Sequence, residues 1–189
     1  MSNSGSKGGI FLAEPRGFCA GVRRALDTVK QALIHFPPPI YVYHEIVHND
    51  FIVKELKQRG VCFVESVEDV PPGSVMILSA HGAAARVEKA AAERNLKLIA
   101  ATCPLGKKIH AKAEKLYHDN ADIYLIGHRG HPEIVGTMGR IDNRAKVIEN
   151  VSEAQVLPRT DCPHRCVCLT QTTLSPDDTA EIIAAMETI

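Results

Sequence analysis

Six cysteines and nine histidines are spread along this 189-residue chain, and a subset of them stands in loops that occur twice. Cys19, in Pro15-Arg16-Gly17-Phe18-Cys19-Ala20-Gly21, has a counterpart in Ala101-Thr102-Cys103-Pro104-Leu105. His44-Glu45-Ile46-Val47-His48-Asn49 is matched by His128-Arg129-Gly130-His131-Pro132-Glu133, and Ser79-Ala80-His81-Gly82 by Thr170-Gln171-Thr172-Thr173. A recurrence at roughly 84 residues implies repeated supersecondary units. Single cysteines on separate units, without the close pairs of a zinc ribbon, suit an iron–sulfur cluster held between them. Imidazoles, hydroxyls and helix N-termini brought together suit an anion such as phosphate or diphosphate. Glu133 is the carboxylate placed to pass a proton, and Thr172 could orient a hydroxyl or a water.

These residues need elements to position them. Each loop follows a short apolar run and precedes a helical pattern. Strands are expected at 9–13, 40–43, 61–64, 75–79, 96–100, 122–126, 145–148 and 165–170. Helices are expected at 22–36, from the Asn49 cap to Arg59 with Gly60 as the stop, and at 83–94, 104–120 and 132–139. Ser152 is expected to cap one further turn, and Ser175 with Pro176 starts a final helix. Such alternation predicts an α/β fold of tandem pseudo-symmetric units with mostly parallel sheets, covered on both faces. Ligands of such sheets bind at the carboxyl ends of the strands. Cys19, His48, His81, Cys103, His131, Glu133, Thr172 and Thr173 therefore share one mouth. The expected organisation is a disordered tail at 1–9, a first domain at 10–101 and a second at 102–189. The final helix carries no stop signal, and a third unit is expected to be missing. Cys62 and Cys168 lie inside apolar strand patterns and read as core thiols.

Bulk composition narrows the function classes. Lys+Arg and Asp+Glu both number 22, so no global charge attracts nucleic acid or an anionic membrane. No apolar run approaches the roughly 20 residues of a membrane span, and the Ser/Gly-rich start lacks a signal-peptide core. A reducing, cytoplasmic compartment is the expectation, with cysteines serving as ligands or thiols rather than disulfides. Hydrophobic content of 45 % is ordinary for a core-forming protein.

The six loops, together with Gly127 and the Leu174-Ser175 that follow Thr173, resemble the 4-hydroxy-3-methylbut-2-enyl diphosphate reductase (IspH/LytB) family in order and spacing. The resemblance implies reductive removal of an allylic hydroxyl, giving isopentenyl and dimethylallyl diphosphate in the non-mevalonate route. It implies a [4Fe–4S] cluster with three cysteine ligands and one open iron, and ferredoxin or flavodoxin as electron donor. Carried over, Cys19 and Cys103 are cluster ligands, and His48, His81 and His131 bind the diphosphate. Glu133 is the proton source, Thr172 adjoins the substrate hydroxyl, and His44 and Thr173 stand behind them. The family's third cysteine has no counterpart before Ile189, so this chain alone is expected to be inactive. Leu105-Gly106-Lys107-Lys108 replaces the usual Leu-Val-Thr-Lys, and Cys162-Pro163-His164-Arg165-Cys166 matches no family element. The alternative class is a repurposed two-domain module that binds a diphosphate or a partner.

Overall fold

The computed structural model describes residues 11–158 and 166–187. Two parallel sheets follow one another along the chain. The first contains β1 (Ile40–Tyr43), β2 (Val61–Val64), β3 (Val75–Leu78) and β4 (Lys97–Ala100) in the order β2-β1-β3-β4. The second contains β5 (Asp122–Ile126), β6 (Ala145–Ile148) and β7 (Cys166–Thr170) in the order β6-β5-β7. Every pairing is parallel. Seven helices provide the crossovers and cover among the described residues: α1 (Ala20–His35), α2 (Asp50–Gln58), α3 (Ala85–Glu93), α4 (Pro104–His118), α5 (Pro132–Met138), α6 (Val151–Gln155) and α7 (Pro176–Glu187). None of the described helices is long and apolar enough to cross a membrane.

Period-2 alternation splits each sheet into two cores. Ile40, Val42, Val61, Val75 and Ile77 meet Ala25, Leu26, Val29 and Ala32 of α1 on one face of the first sheet. Met76 and Leu78 pack on Val87 and Ala91 of α3 on the other. In the second sheet, Ile123, Leu125 and Leu169 face Ala113 and Leu116 of α4, while Tyr124, Ile126 and Ile148 face Ile182 of α7. A strand covered on both sides must be apolar on both, as the fully buried β3 is.

Local signals explain the helix starts. Asn49 accepts from the Ile52 N–H at 3.1 Å, and Gly60 leaves α2 in the left-handed region at φ 91°. Ser175 and Asp178 bond reciprocally, Asp178 N–H to Ser175 Oγ at 3.1 Å and Ser175 N–H to Asp178 Oδ2 at 3.0 Å.

Four expectations are corrected. Ser152 does not cap α6; Asn150 does, its Oδ1 accepting from the Glu153 N–H at 3.0 Å, because an Asn just ahead of the turn outcompetes a Ser already inside it. Residues 11–13 form no strand, pair with neither sheet and leave Phe11 and Leu12 exposed, while Gly9 and Ile10 lie outside the described residues. Cys62 is exposed rather than core, since β2 is an edge strand and α3 covers the same face only farther in. Cys168 is exposed for the same reason on edge strand β7, opening onto a groove of about 380 Å³ beside Ile183 and Met186 of α7. Cys162, Pro163, His164 and Arg165 lie outside the described residues; Cys166 begins β7.

Candidate functional site

Backbone hydrogen bonds prolong the order of the first sheet into its loops. Ala80 N–H donates to Ile46 O at 3.3 Å, and Cys103 N–H to Ala80 O at 2.9 Å. The double-histidine loop after β1, the His81 loop after β3 and the cysteine after β4 are thereby laid side by side. The second sheet does the same: Gly127 N–H donates to Ile148 O at 3.1 Å, and Gln171 N–H to Ile126 O at 2.8 Å. Gln171, 3 % exposed, then organises its own rim. Its Oε1 accepts from the His128 N–H at 3.1 Å and its Nε2 donates to Thr173 Oγ1 at 2.6 Å. Reading the sequence assigned Gln171 no role; a long amide inside a run of threonines was the available signal.

The two cysteines are both helix caps. Cys19 is the N-cap of α1, its Sγ accepting from the Val22 N–H at 3.4 Å, and Cys103 is the N-cap of α4 with Pro104 at the next position. The positive end of a helix favours the thiolate that a soft metal requires. Gly21 shows how close they come: a Cβ there would lie 2.6 Å from Cys103 Sγ and 3.7 Å from Cys19 Sγ. Both sulfurs therefore border one small space that only glycine keeps open. Two convergent thiols at helix starts fit an iron–sulfur cluster on its protein-facing side. Among the described residues no third cysteine joins them. Cys166 and Cys168 lie on β7, and the four residues from Cys168 to Thr172 span about 13 Å of extended chain.

Three imidazoles meet across the seam between the sheets. His48 stacks on His81 with ring centroids 4.6 Å apart, and His131 stands edge-on to both at 5.6 and 5.1 Å. Their ligand atoms all lie within 4.8 Å of one another. Burial, reinforced by His48, His131 and His44, pulls His81 down to about pH 4. Burial and then His48 and His128 lower His131 as well. His81 and His131 are thus neutral near pH 7. His131 caps α5, its Nδ1 accepting from the Glu133 N–H at 3.2 Å, so the neutral ring carries its proton on Nε2. That leaves a donor at the outer nitrogen, which favours an anion over a metal cation. His81 Nε2 is buried with no hydrogen-bond partner, a vacancy that a ligand oxygen would fill.

Glu133 is 2 % exposed, yet both of its oxygens are occupied. Thr172 N–H donates to Oε1 at 2.8 Å, and Thr172 Oγ1 donates to Oε2 at 2.7 Å. A carboxylate and a hydroxyl from loops after different strands are locked as one unit. His44 stands apart from the three rings. Held at φ 57°, it binds Glu65 Oε2 through Nδ1 at 2.6 Å and lies against Tyr43. Arg129 points away from the cluster into ion pairs with Glu149 and Glu153. Of the residues anticipated for one mouth, the structure joins Cys19 with Cys103, His48 with His81 and His131, and Glu133 with Thr172. Thr173 follows through Gln171.

Comparison with known proteins bears on this arrangement. Residues 10–189 match the family profile described as LytB protein. The chain is 48 % identical over 178 residues to 4-hydroxy-3-methylbut-2-enyl diphosphate reductase 2 of Burkholderia mallei, covering 94 % of this chain and 54 % of the relative. Identity is 50 % over 181 residues to the reductase of Psychrobacter arcticus, covering 94 % and 57 %. The solved structure of the E-1-hydroxy-2-methyl-but-2-enyl-4-diphosphate reductase from Plasmodium falciparum superposes with a TM-score of 0.89 at 41 % identity, over 93 % of this chain and 55 % of that one. A second solved structure, described as the terminal enzyme of the non-mevalonate pathway, gives 0.79 at 29 % identity, over 95 % and 63 %. The chain spans about half the length of the curated relatives it matches.

Proposed function

The chain belongs to the LytB protein family, and from that premise we propose that it supplies most of the active site of an iron–sulfur reductase acting on 4-hydroxy-3-methylbut-2-enyl diphosphate. The reaction removes the allylic hydroxyl as water, consuming two electrons and two protons, and leaves isopentenyl and dimethylallyl diphosphate. The observation that carries the reading is the meeting of three imidazoles, from loops after different strands, with a buried, doubly hydrogen-bonded Glu133.

Each residue then has a task. His48, His81 and His131 grip the diphosphate, His131 through Nε2–H and His81 through the nitrogen that has no internal partner. Binding a multiply charged anion raises the proton affinity of these rings, so neutral donors become charge-assisted ones when the ligand arrives. Glu133, once it takes up a proton, is the source that delivers it, and Thr172 Oγ1, bonded to Glu133 Oε2, is the hydroxyl through which the leaving oxygen is met. Gln171 sets Thr173, and Glu65 orients His44. Cys19 and Cys103 would hold a [4Fe–4S] cluster, which supplies a Lewis acid and a route for electrons from a ferredoxin or flavodoxin. By the family resemblance the third cluster cysteine lies in the part of the relatives that this chain does not span. Residues 10–101 and 102–189 act as two of its units.

The experiment is a pyrophosphate titration of this chain at pH 6, with His81→Ala as control. Binding that weakens about tenfold or more in His81→Ala is expected from the loss of a charge-assisted hydrogen bond. Equal binding by the two proteins would remove the basis for the anion site.

A further inference from the structure

We propose that Arg140 is a positioning residue that sets the spacing between His81 and His131. The two rings come from opposite sides of the seam, His81 from the loop after β3 and His131 from the start of α5, and they touch with centroids 5.1 Å apart. Nothing in either loop alone determines that distance. Arg140, just beyond the C-cap of α5, reaches back across the seam.

Its guanidinium, 16 % exposed, uses all three nitrogens. Nε donates to the carbonyl of Ala83 at 3.0 Å, two residues after His81. Nη2 pairs with Glu88 of α3 and Nη1 with Glu114 of α4, the latter at 3.0 Å. One planar fork thus ties the His81 loop and α3 to α5 and α4. Lysine gathers its donors on one nitrogen at the end of a flexible stem and cannot reproduce three bonds made from three separate nitrogens of a rigid plane.

The surfaces that the clamp draws together are in contact, and at Gly139 there is no room for a side chain. A Cβ on Gly139 would lie 2.3 Å from Ala84 Cβ, and one on Gly136 would lie 3.5 Å from His110 Nε2 and 3.6 Å from the Ala83 carbonyl carbon. His110 fills the gap from beneath, its Cε1 only 2.6 Å from where a Gly82 Cβ would stand. Small residues stop α5 from riding up, and Arg140 stops it from sliding off. Glu133 shares α5 with His131, so its approach to Thr172 rests on the same seating.

The functional consequence rests on reading the three imidazoles as an anion grip, so the test has a ligand-free arm. Ring-to-ring NMR cross-peaks of His81 with His131 and of Tyr43 with His44 are compared in the parent chain, Arg140→Gln and Arg140→Lys, alongside pyrophosphate titration. Arg140→Gln should keep the Tyr43–His44 cross-peak, lose the His81–His131 cross-peak and weaken pyrophosphate about tenfold or more, as misplaced binding groups do. Arg140→Lys should restore neither. A retained His81–His131 cross-peak in Arg140→Gln, or full recovery in Arg140→Lys, overturns the proposal. Loss of the cross-peak with no pyrophosphate binding even in the parent would sink the anion reading and leave the clamp standing. Should Arg140→Gln fail to fold, Glu88→Ala removes only the bond to α3. It should weaken the same cross-peak, and an undiminished cross-peak there overturns the proposal equally.

Discussion

Glu133 occupies an unusual setting for a carboxyl group, because it is buried with its two oxygens each taken by the same threonine. A purely structural carboxylate would be served as well by backbone donors alone. The hydroxyl adds a group that can both give and receive a proton at the edge of the imidazole cluster. In a full-length reductase carrying this region, Glu133→Gln keeps shape and one acceptor but has no proton to transfer. Turnover should fall by about 10²–10⁴-fold, the usual worth of general-acid catalysis, with the cluster spectrum unchanged. Near-full turnover would relegate Glu133 to holding Thr172 in place. The residues were legible because reactive types recurred in matched loops. What escaped was the support: Gln171, Glu65 and Arg140 are unremarkable as letters, and their roles exist only once distant loops are neighbours.

At the scale of elements, the sheet and helix order was readable from apolar runs, caps and turns, and the boundaries that moved did so by one or two residues. Misreadings collected where neighbours decide. Cys62 and Cys168 carry strand-like surroundings, but edge position exposes them. An apolar run marks residues 11–13 as a strand, yet no strand of either sheet accepts them. Helix α4 shows the converse, a histidine where a core residue belongs. His110 is 4 % exposed and its Nε2 has no partner, so burial, aided by the Arg140 charge and opposed by Glu114, draws its pKa down to about 4. Lowering a base in the folded state means the unfolded chain takes up protons first. Stability is then lost as pH falls from about 6.5 toward 4, and levels off below. A shift of that size corresponds to about 3 kcal/mol at its fullest, with His81 adding a similar term. Urea unfolding of His110→Phe at pH 7 and pH 4.5 should show a smaller acid-induced loss than the parent. Identical losses would mean that His110 does not control this response.

For the whole molecule, the candidate functional residues concentrate at the seam between the two sheets. Cys103, the imidazoles and the Glu133–Thr172 pair follow the carboxyl ends of parallel strands, as open α/β sheets dictate, and the start of α1 brings Cys19 beside Cys103. Tandem units were legible in the repeated loops; their relative seating was not, since it depends on Gly136, Gly139 and Arg140 meeting Ala83, Ala84 and Glu88. On the proposed function, this region brings two cluster cysteines to one space, and the third comes from the part of the relatives that the chain does not span. Anaerobic iron–sulfur reconstitution, followed by gel filtration and iron counting, tests it most directly. The comparison is this chain against the same chain joined to the remaining half of a full-length relative. Well under four irons per chain should survive on this chain, and about four on the joined protein, as a three-cysteine [4Fe–4S] site requires. About four irons retained by this chain alone, and lost only when Cys19 and Cys103 are both changed to Ser, would contradict the account.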